Sequence, residues 1–210
     1  LESSPARLEP RPGAPPMDDD PGTLETPDEM ERAAGGCTKP SATTPSGTSV
    51  VVELLDPKRL LSDQQKCWIR SKLNAAFDCM QPTPAGEVRI KLIDDVEMMA
   101  AHQQYCGIGT TTDVLTFDMS DHGIQLPVRP LDVDLFVCVD EARRQGTARQ
   151  FTVERETLLY CLHGVLHCLG YDDHDETDHD RMHAEEDRLL REIGVGVTFA
   201  VNAAEGTHTP

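Results

Sequence analysis

The chain has 210 residues, and its 19 basic and 37 acidic side chains give a formal net charge of −18. This strongly negative charge argues against a protein that binds nucleic acid non-specifically over its whole surface. A local basic groove remains compatible with it. Seven cysteines, an odd number without a C-x-x-C pair, are typical of reduced thiols in a cytoplasmic protein rather than of a disulfide framework. No apolar run reaches the roughly 18 residues of a membrane span, so no membrane association is expected.

The two ends of the chain differ in composition from its centre. Residues 1–47 hold nine of the fifteen prolines and nine acidic residues, with few apolar ones. Such a segment buries too little apolar surface to offset the entropy of ordering, which predicts a disordered acidic leader. An ordered domain is expected over residues 48–196, and a flexible tail over residues 197–210. The sequence does not indicate an oligomeric state, and a monomer is assumed.

Hydrophobic periodicity divides the expected domain into strands and helices. Strands are predicted at 50–55, 87–93, 114–117 and 133–139. Helices are predicted at about 62–80, 94–104, 141–148, 154–169 and 176–192. The fourth strand is nearly all apolar, which is typical of a central position in a sheet. This order predicts a single α+β domain in which a small mixed β-sheet is covered by helices.

The helix predicted at 154–169 carries two histidines, His163 and His167. Four residues on a helix advance about 400°, so the two imidazoles lie on one face, one turn apart. Gly170 follows, where a helix commonly ends in the left-handed conformation. Three potential ligands come directly after this break: Asp172, Asp173 and His174. Two ligands on a helix and a third from the following turn are the geometry of an open metal site.

Gly164 distinguishes this predicted helix from the metal-binding helix of metalloproteases. Metalloproteases with the same histidine spacing carry a Glu directly after the first His as the general base. Gly has no side chain, so a protease mechanism would need its base from elsewhere, and the sequence counts against peptide hydrolysis.

Two blocks of the sequence resemble the YbeY family of metal-dependent endoribonucleases. His163–Asp172 is similar to that family's signature, and Thr112–Phe117 is similar to its second conserved block. Leu131–Asp140 resembles the strand between the two blocks. The resemblance covers residues 50–193, so the domain at 48–196 is expected to be a YbeY-like metallohydrolase. It implies an α+β fold, a zinc-like ion held by three histidines, and a hydrolase acting on ribosomal RNA precursors.

In functional terms, the resemblance implies a cytoplasmic, single-strand-specific endoribonuclease. Its implied roles are maturation of the 3′ end of small-subunit ribosomal RNA and ribosome quality control, with the small subunit as partner. One alternative is a non-catalytic, zinc-containing module that associates with the ribosome. The other is a metal-dependent hydrolase of a substrate other than RNA.

The turn after Gly170 departs from the family pattern. The family's third histidine follows Gly-Tyr-Asp directly, but Asp173 stands at that position here and His174 comes next. The turn is interpreted as one residue longer, with His174 as third ligand of one zinc ion and Asp173 as the alternative. A divalent metal ion other than zinc is a further alternative.

Four residues are candidates for catalysis: Asp172, Asp173, Thr112 and Asp113. Either of the first two can take a proton or orient a ligand imidazole. Thr112 and Asp113 are expected to line the cleft, or else only to cap a loop-to-strand turn.

Cys106 is a second departure from the family, which usually has Arg six residues before the threonine of the second block. A guanidinium pairs bidentately with phosphate oxygens, and a thiol cannot. The residues considered as replacements are Arg129, Arg143 and Arg144. Another histidine pair, His179 and His183, stands among acidic residues on the last predicted helix and is interpreted as part of a solvated helix face.

Overall fold

A computed structural model describes residues 49–120 and 130–199 of the chain. The predicted leader at 1–47, Arg129 and the tail beyond residue 199 therefore lie outside the described residues. Within the described part, no helix combines the length and the apolar character that crossing a membrane requires.

Four strands form one sheet. They are β1 (Val50–Leu55), β2 (Gly86–Ile93), β3 (Val114–Asp118) and β4 (Leu131–Cys138). The order in the sheet is β1-β2-β4-β3, with β3 antiparallel to β4 and the other pairs parallel. The predicted mixed sheet and the interior position of the fourth strand are confirmed.

Five helices accompany the sheet. They are α1 (Asp63–Cys79), α2 (Asp95–Cys106), α3 (Val139–Arg149), α4 (Val153–Cys168) and α5 (Glu176–Glu192). Three of them begin at side-chain caps, because a side-chain oxygen of Ser62, Asp94 or Asp175 accepts a hydrogen bond from a first-turn amide. The chain is thus the α+β domain that the sequence predicts.

Helix α4 is the most enclosed element of the described residues. Every residue from Arg155 to His167 is buried, since α4 packs against α1, α3, α5 and the sheet strands β3 and β4. Its apolar side chains belong to the main core together with those of α1 and the sheet. A helix that is enclosed on all sides needs apolar residues all round, which explains the lack of a polar stripe in its sequence.

Helix α2 covers the opposite face of the sheet. It forms a second, smaller cluster, whose buried members are Ile93, Met98, Ala101, Leu115 and Cys138. Alternation along β3 places Leu115 on this face, while Val114 and Thr116 point toward α4.

One buried carboxylate in α4 lacks hydrogen bonds. Glu156 is fully buried, and neither of its oxygens accepts a hydrogen bond from any described residue. Nitrogens of Arg149 and Arg155 lie 3.5 Å and 3.8 Å from those oxygens, close enough for charge attraction. Burial nevertheless raises the pKa of Glu156, and the two arginines offset only part of this effect.

Candidate metal centre

The C-terminus of α4 turns the chain back toward its own last helical turn. Gly170 has a φ of 93°, in the left-handed region that Gly tolerates. The amides of Gly170 and Tyr171 donate to the carbonyls of His167 and Leu166, at 3.1 Å each. This pair of bonds is a Schellman motif, so the helix ends at Gly as predicted and residues 171–174 lie beside His167.

His163 and His167 face each other from consecutive turns of α4. Their Nε2 atoms are 3.2 Å apart, and their rings meet edge to face with centroids 4.6 Å apart. Both residues are less than a tenth exposed. The two imidazoles therefore lie on the same face of the helix, as predicted.

The other ring nitrogens of the two histidines determine which nitrogen is free. Nδ1 of His163 lies 2.8 Å from Oε1 of Glu186, and Nδ1 of His167 lies 3.2 Å from the carbonyl oxygen of Tyr171. A carboxylate and a carbonyl only accept hydrogen bonds, so both Nδ1 atoms carry the hydrogen. In the neutral rings, two Nε2 lone pairs therefore point at each other, an arrangement that a shared cation stabilises.

Asp173 brings a negative charge to this pair. Its Oδ2 lies 3.9 Å from Nε2 of His163, and its side chain is 10% exposed. Its Oδ1 is buried and has no hydrogen-bond partner among the described residues. One ligand atom from each of His163, His167 and Asp173 lies within 4.8 Å of the others. A buried carboxylate oxygen without a donor and two facing lone pairs suit a divalent cation.

His174, which the sequence interpretation favoured as third ligand, lies outside this cluster. Its side chain is 74% exposed and pairs through Nδ1 with Oδ1 of Asp172. Two residues beyond the Schellman motif, Asp173, the alternative, points toward the two histidines. Asp172, Asp173 and His174 do form a second group of close ligand atoms, but its two outer members are exposed. The hydrogen bond from His174 to the carboxylate of Asp172 lowers the pKa of that carboxyl group.

Thr112 and Asp113 make local hydrogen bonds at the start of β3. Oδ1 of Asp113 accepts from the amide of Val114 at 2.8 Å and from the hydroxyl of Thr112 at 3.0 Å. These are the bonds of a loop-to-strand turn, the simpler of the two interpretations. The Asp113 charge is still close enough to contribute to raising the pKa of His163.

Glu186 is the residue that sequence reasoning missed. It is fully buried in α5, where its two oxygens accept from Nδ1 of His163 and, at 2.7 Å, from Nδ1 of His183. Burial raises the pKa of Glu186, but these two hydrogen bonds outweigh burial and leave the pKa below its usual range. The signal in the sequence was its spacing: Glu186 stands four residues after Met182 and three before Leu189, inside the apolar stripe of α5.

The two α4 histidines differ in their protonation. Burial lowers the pKa of His163, but the Glu186 hydrogen bond and charge raise it above its ordinary value. Burial also lowers the pKa of His167, and there the neighbouring His163 charge adds to the effect. Of the two rings, His163 therefore binds a proton more tightly, and a metal ion at the Nε2 atoms would compete with that proton.

Gly164 is a packing position. A Cβ at this residue would lie 2.8 Å from Cδ2 of Leu135, 2.8 Å from Oγ1 of Thr116 and 3.4 Å from Cγ2 of Val114. The position faces the sheet rather than the histidines. A Glu here would meet the sheet instead of the cluster, so the geometry, like the sequence, counts against the protease arrangement.

Of the three arginines considered as replacements for a family arginine at position 106, Arg129 lies outside the described residues, and Arg143 and Arg144 are both paired with carboxylates. Cys106 ends α2 as a half-buried thiol, and burial raises its pKa, so it is neutral. Arg143 pairs with Asp140, and Arg144 pairs with Asp95 and Glu141. Both guanidiniums are thus engaged by carboxylates.

Comparison with known proteins identifies the family. The family model described as Endoribonuclease YbeY matches residues 54–194. The chain belongs to the endoribonuclease YbeY family. The family resemblance predicted from the blocks at 112–117 and 163–172 is confirmed.

Three similar proteins illustrate the range of the match. Endoribonuclease YbeY of Frankia alni is 36% identical over 137 residues, 62% of this chain and 74% of the relative. That of Shouchella clausii is 28% identical over 153 residues, 69% of this chain and 96% of the relative. The solution structure of TM1509 from Thermotoga maritima is 19% identical, with a TM-score of 0.49, and the match covers 76% of this chain and 97% of that one.

Proposed function

We propose that this YbeY-family protein is a metal-dependent endoribonuclease that cleaves single-stranded RNA. The observation that carries the proposal is the buried cluster of His163, His167 and Asp173 within a chain of this family. The proposed substrate is the precursor of small-subunit ribosomal RNA, cut near its 3′ end, and the proposed wider role is ribosome quality control. The proposed location is the cytoplasm, where its many thiols stay reduced.

The proposed ligands are His163, His167 and Asp173, with zinc as the ion. A zinc ion with three protein ligands leaves a fourth position for water and lowers the pKa of that water from about 15.7 toward about 7. Two imidazoles and one carboxylate are a donor set found in catalytic zinc sites. Asp173 supplies a negative charge where the family resemblance implied a third neutral imidazole.

Glu186 and the backbone of Tyr171 orient the two histidines. Each accepts the Nδ1 hydrogen of one ring, which fixes the tautomer and aims Nε2 at the centre. Asp172 is exposed and lies next to the proposed ligand Asp173, so it is the proposed group for moving a proton between the site and solvent.

RNA cleavage by the full chain tests the proposal. The zinc-loaded protein would be incubated with a single-stranded RNA and with the same RNA annealed to its complement, alongside a His163→Ala/His167→Ala variant. The expected result is endonucleolytic cleavage of the single strand by the wild type alone. Equal cleavage by both proteins would reveal a contaminating nuclease, and absence of cleavage by both would refute the activity.

A second candidate function rests on Cys106. Because the neutral thiol cannot hold a phosphate, this observation favours a ribosome-associated module in which zinc is structural. Four protein ligands on zinc would close the site to water and support that function. Restoring the family residue with Cys106→Arg distinguishes the two: a nuclease with a weakened phosphate grip should gain activity, and a structural module should gain none.

A further inference from the structure

The molecule contains a second histidine pair that resembles the first. His179 and His183 are one turn apart on α5, and their Nε2 atoms are 2.9 Å apart. Their rings meet edge to face, with centroids 4.1 Å apart and planes at 80°. The corresponding values for His163 and His167 are 3.2 Å between the Nε2 atoms, 4.6 Å and 85°.

Glu186 connects the two pairs. One of its oxygens accepts from His163 and the other from His183, at 2.8 Å and 2.7 Å. Because the carboxylate only accepts, Nδ1 of His183 carries its hydrogen, and the lone pair of the neutral ring is on Nε2. That lone pair points at His179. The same buried carboxylate thus fixes one histidine of each pair in the tautomer with the hydrogen on Nδ1.

The surroundings hold His183 in place and leave His179 accessible. Phe199 stacks on the His183 ring at a centroid distance of 3.6 Å, and the His183 side chain is only 18% exposed. The His179 side chain is 39% exposed, so solvent can reach the pair. For His183, this arrangement contradicts the interpretation of the pair as part of a solvated helix face, whereas His179 does reach solvent.

We propose that His179 and His183 form a second site for a divalent transition-metal ion. Zinc, nickel and copper are the class of ion that imidazole ligands suit. Zinc–nitrogen bonds of about 2.0–2.1 Å in tetrahedral geometry separate two ligand nitrogens by about 3.3 Å, a spacing that a small rotation of either ring provides. Water completes the coordination on the exposed side.

The charge around this second site favours a cation. The N-terminal half of α5 is strongly acidic, with Glu176, Asp178 and Asp180 in the helix and Asp175 as its N-cap. Nδ1 of His179 lies 3.8 Å from Oδ1 of Asp180, so a negative charge adjoins the proposed ligand. With two protein ligands instead of three, the second site should bind more weakly than the first.

Zinc stoichiometry of the full chain tests the proposal. Equilibrium dialysis against zinc, followed by elemental analysis, would be applied to the wild type, His179→Gln and His183→Gln. The expected result is a loss of one zinc ion per chain in each variant. The matched control is Arg181→Gln: this exposed residue lies between the two histidines, and loss of its positive charge should not weaken cation binding.

The design separates this site from other zinc ligands and from the proposed nuclease function. All the variants keep the same cysteines, so differences in stoichiometry report the histidines alone. His179→Gln alters an accessible side chain and remains informative if His183→Gln unfolds. A His163→Gln/His167→Gln variant should lose the first ion and keep the second, whether or not the wild type cleaves RNA.

Imidazole NMR gives a second readout. Zinc should shift the ring ¹⁵N resonances of His179 and His183 together, at higher zinc concentrations than those of His163 and His167. Equal zinc content of the wild type and His179→Gln, or an Nε2 hydrogen shared between His179 and His183 at saturating zinc, would overturn the proposal.

Discussion

Replacing Gly164 by Ala tests the close approach of α4 to the sheet. At an unobstructed helix position, Gly→Ala stabilises a protein by up to about 1 kcal/mol because Ala restricts the unfolded chain. At Gly164, the added carbon would lie 2.8 Å from both Leu135 and Thr116, inside van der Waals contact. We therefore expect the sign of the effect to be reversed.

The expected magnitude follows from the two opposing effects. Overpacking of a filled core costs about 1–3 kcal/mol, and the helix preference of Ala returns up to about 1 kcal/mol. A net loss of about 1–2 kcal/mol corresponds to a fall in Tm of roughly 2–8 °C for a chain of this size. Because His163 precedes Gly164, displacement of α4 from the sheet should also weaken zinc binding.

Thermal and denaturant unfolding of the full chain measure the effect. The double variant Gly164→Ala/Leu135→Val supplies the control, since Val lacks the δ carbons that the new methyl group meets. Leu135→Val alone should cost about 0.5–1.5 kcal/mol, as typical single-methylene deletions do, and the double variant should lose less than the sum of the single variants. A Gly164→Ala protein as stable as the wild type, or strict additivity of the two changes, would show that α4 does not pack on the sheet at this point.

Three further changes address the site and the core. Asp173→Ala should weaken zinc binding by at least about 100-fold, whereas His174→Ala should change it by less than about twofold, because only Asp173 faces the histidines. Glu186→Gln should weaken zinc binding by about 10–100-fold, since a neutral amide orients His163 less firmly. Glu156→Gln should stabilise the protein at pH 7 by about 1 kcal/mol, because it removes a buried charge without hydrogen bonds.

The stabilisation expected from Glu156→Gln should depend on pH, and the shifted pKa of Glu156 determines the direction of that dependence. The raised pKa of Glu156 means that the folded state binds its proton more tightly than the unfolded state. The contribution of Glu156 to stability should therefore fall as pH rises from the ordinary value of 4.5 through the raised folded pKa. The advantage of Glu156→Gln should disappear below about pH 4.5, and urea titrations at pH 4 and pH 7 measure it. A variant less stable than the wild type at pH 7 would show that Arg149 and Arg155 outweigh the burial.

Isothermal titration with zinc distinguishes the outcomes at the metal site. A large loss in His174→Ala with little change in Asp173→Ala would restore the longer-turn interpretation. Wild-type affinity in Glu186→Gln would show that packing alone orients His163.

The sequence predicted local features well and long-range features poorly. The helical period was enough to place His163 and His167 on one face, and Gly170 was enough to end their helix. The choice between Asp173 and His174 depended on the conformation of the turn after Gly170. If that turn were one residue longer, His174 would face the histidines and Asp173 would face solvent. Gly170 predicts the Schellman bonds, but it does not determine which of the following side chains faces the histidines.

Tertiary packing explains what the sequence reasoning did not find. The spacing of Glu186 places it on the buried side of α5, but only the packing of α5 against α4 reveals that its carboxylate lies beside His163. The reason for Gly164 is similar, because the obstacle to a side chain there comes from β3 and β4. Both residues are constrained by partners that are distant along the chain.

The uninterrupted burial of α4 has a consequence for how an ion enters and leaves. The backbone amides of His163 and His167 belong to the most enclosed element, so their hydrogen exchange should require global unfolding. Among the described residues, the amide of Asp173 bonds only to the exposed side chain of Asp172, and it should exchange through local opening. Two of the three proposed ligands are therefore anchored as firmly as the domain itself, while the proposed third, Asp173, should be able to move outward without disturbing them. An ion would come and go past the turn at residues 171–174, at a rate set by the opening of that turn rather than by unfolding.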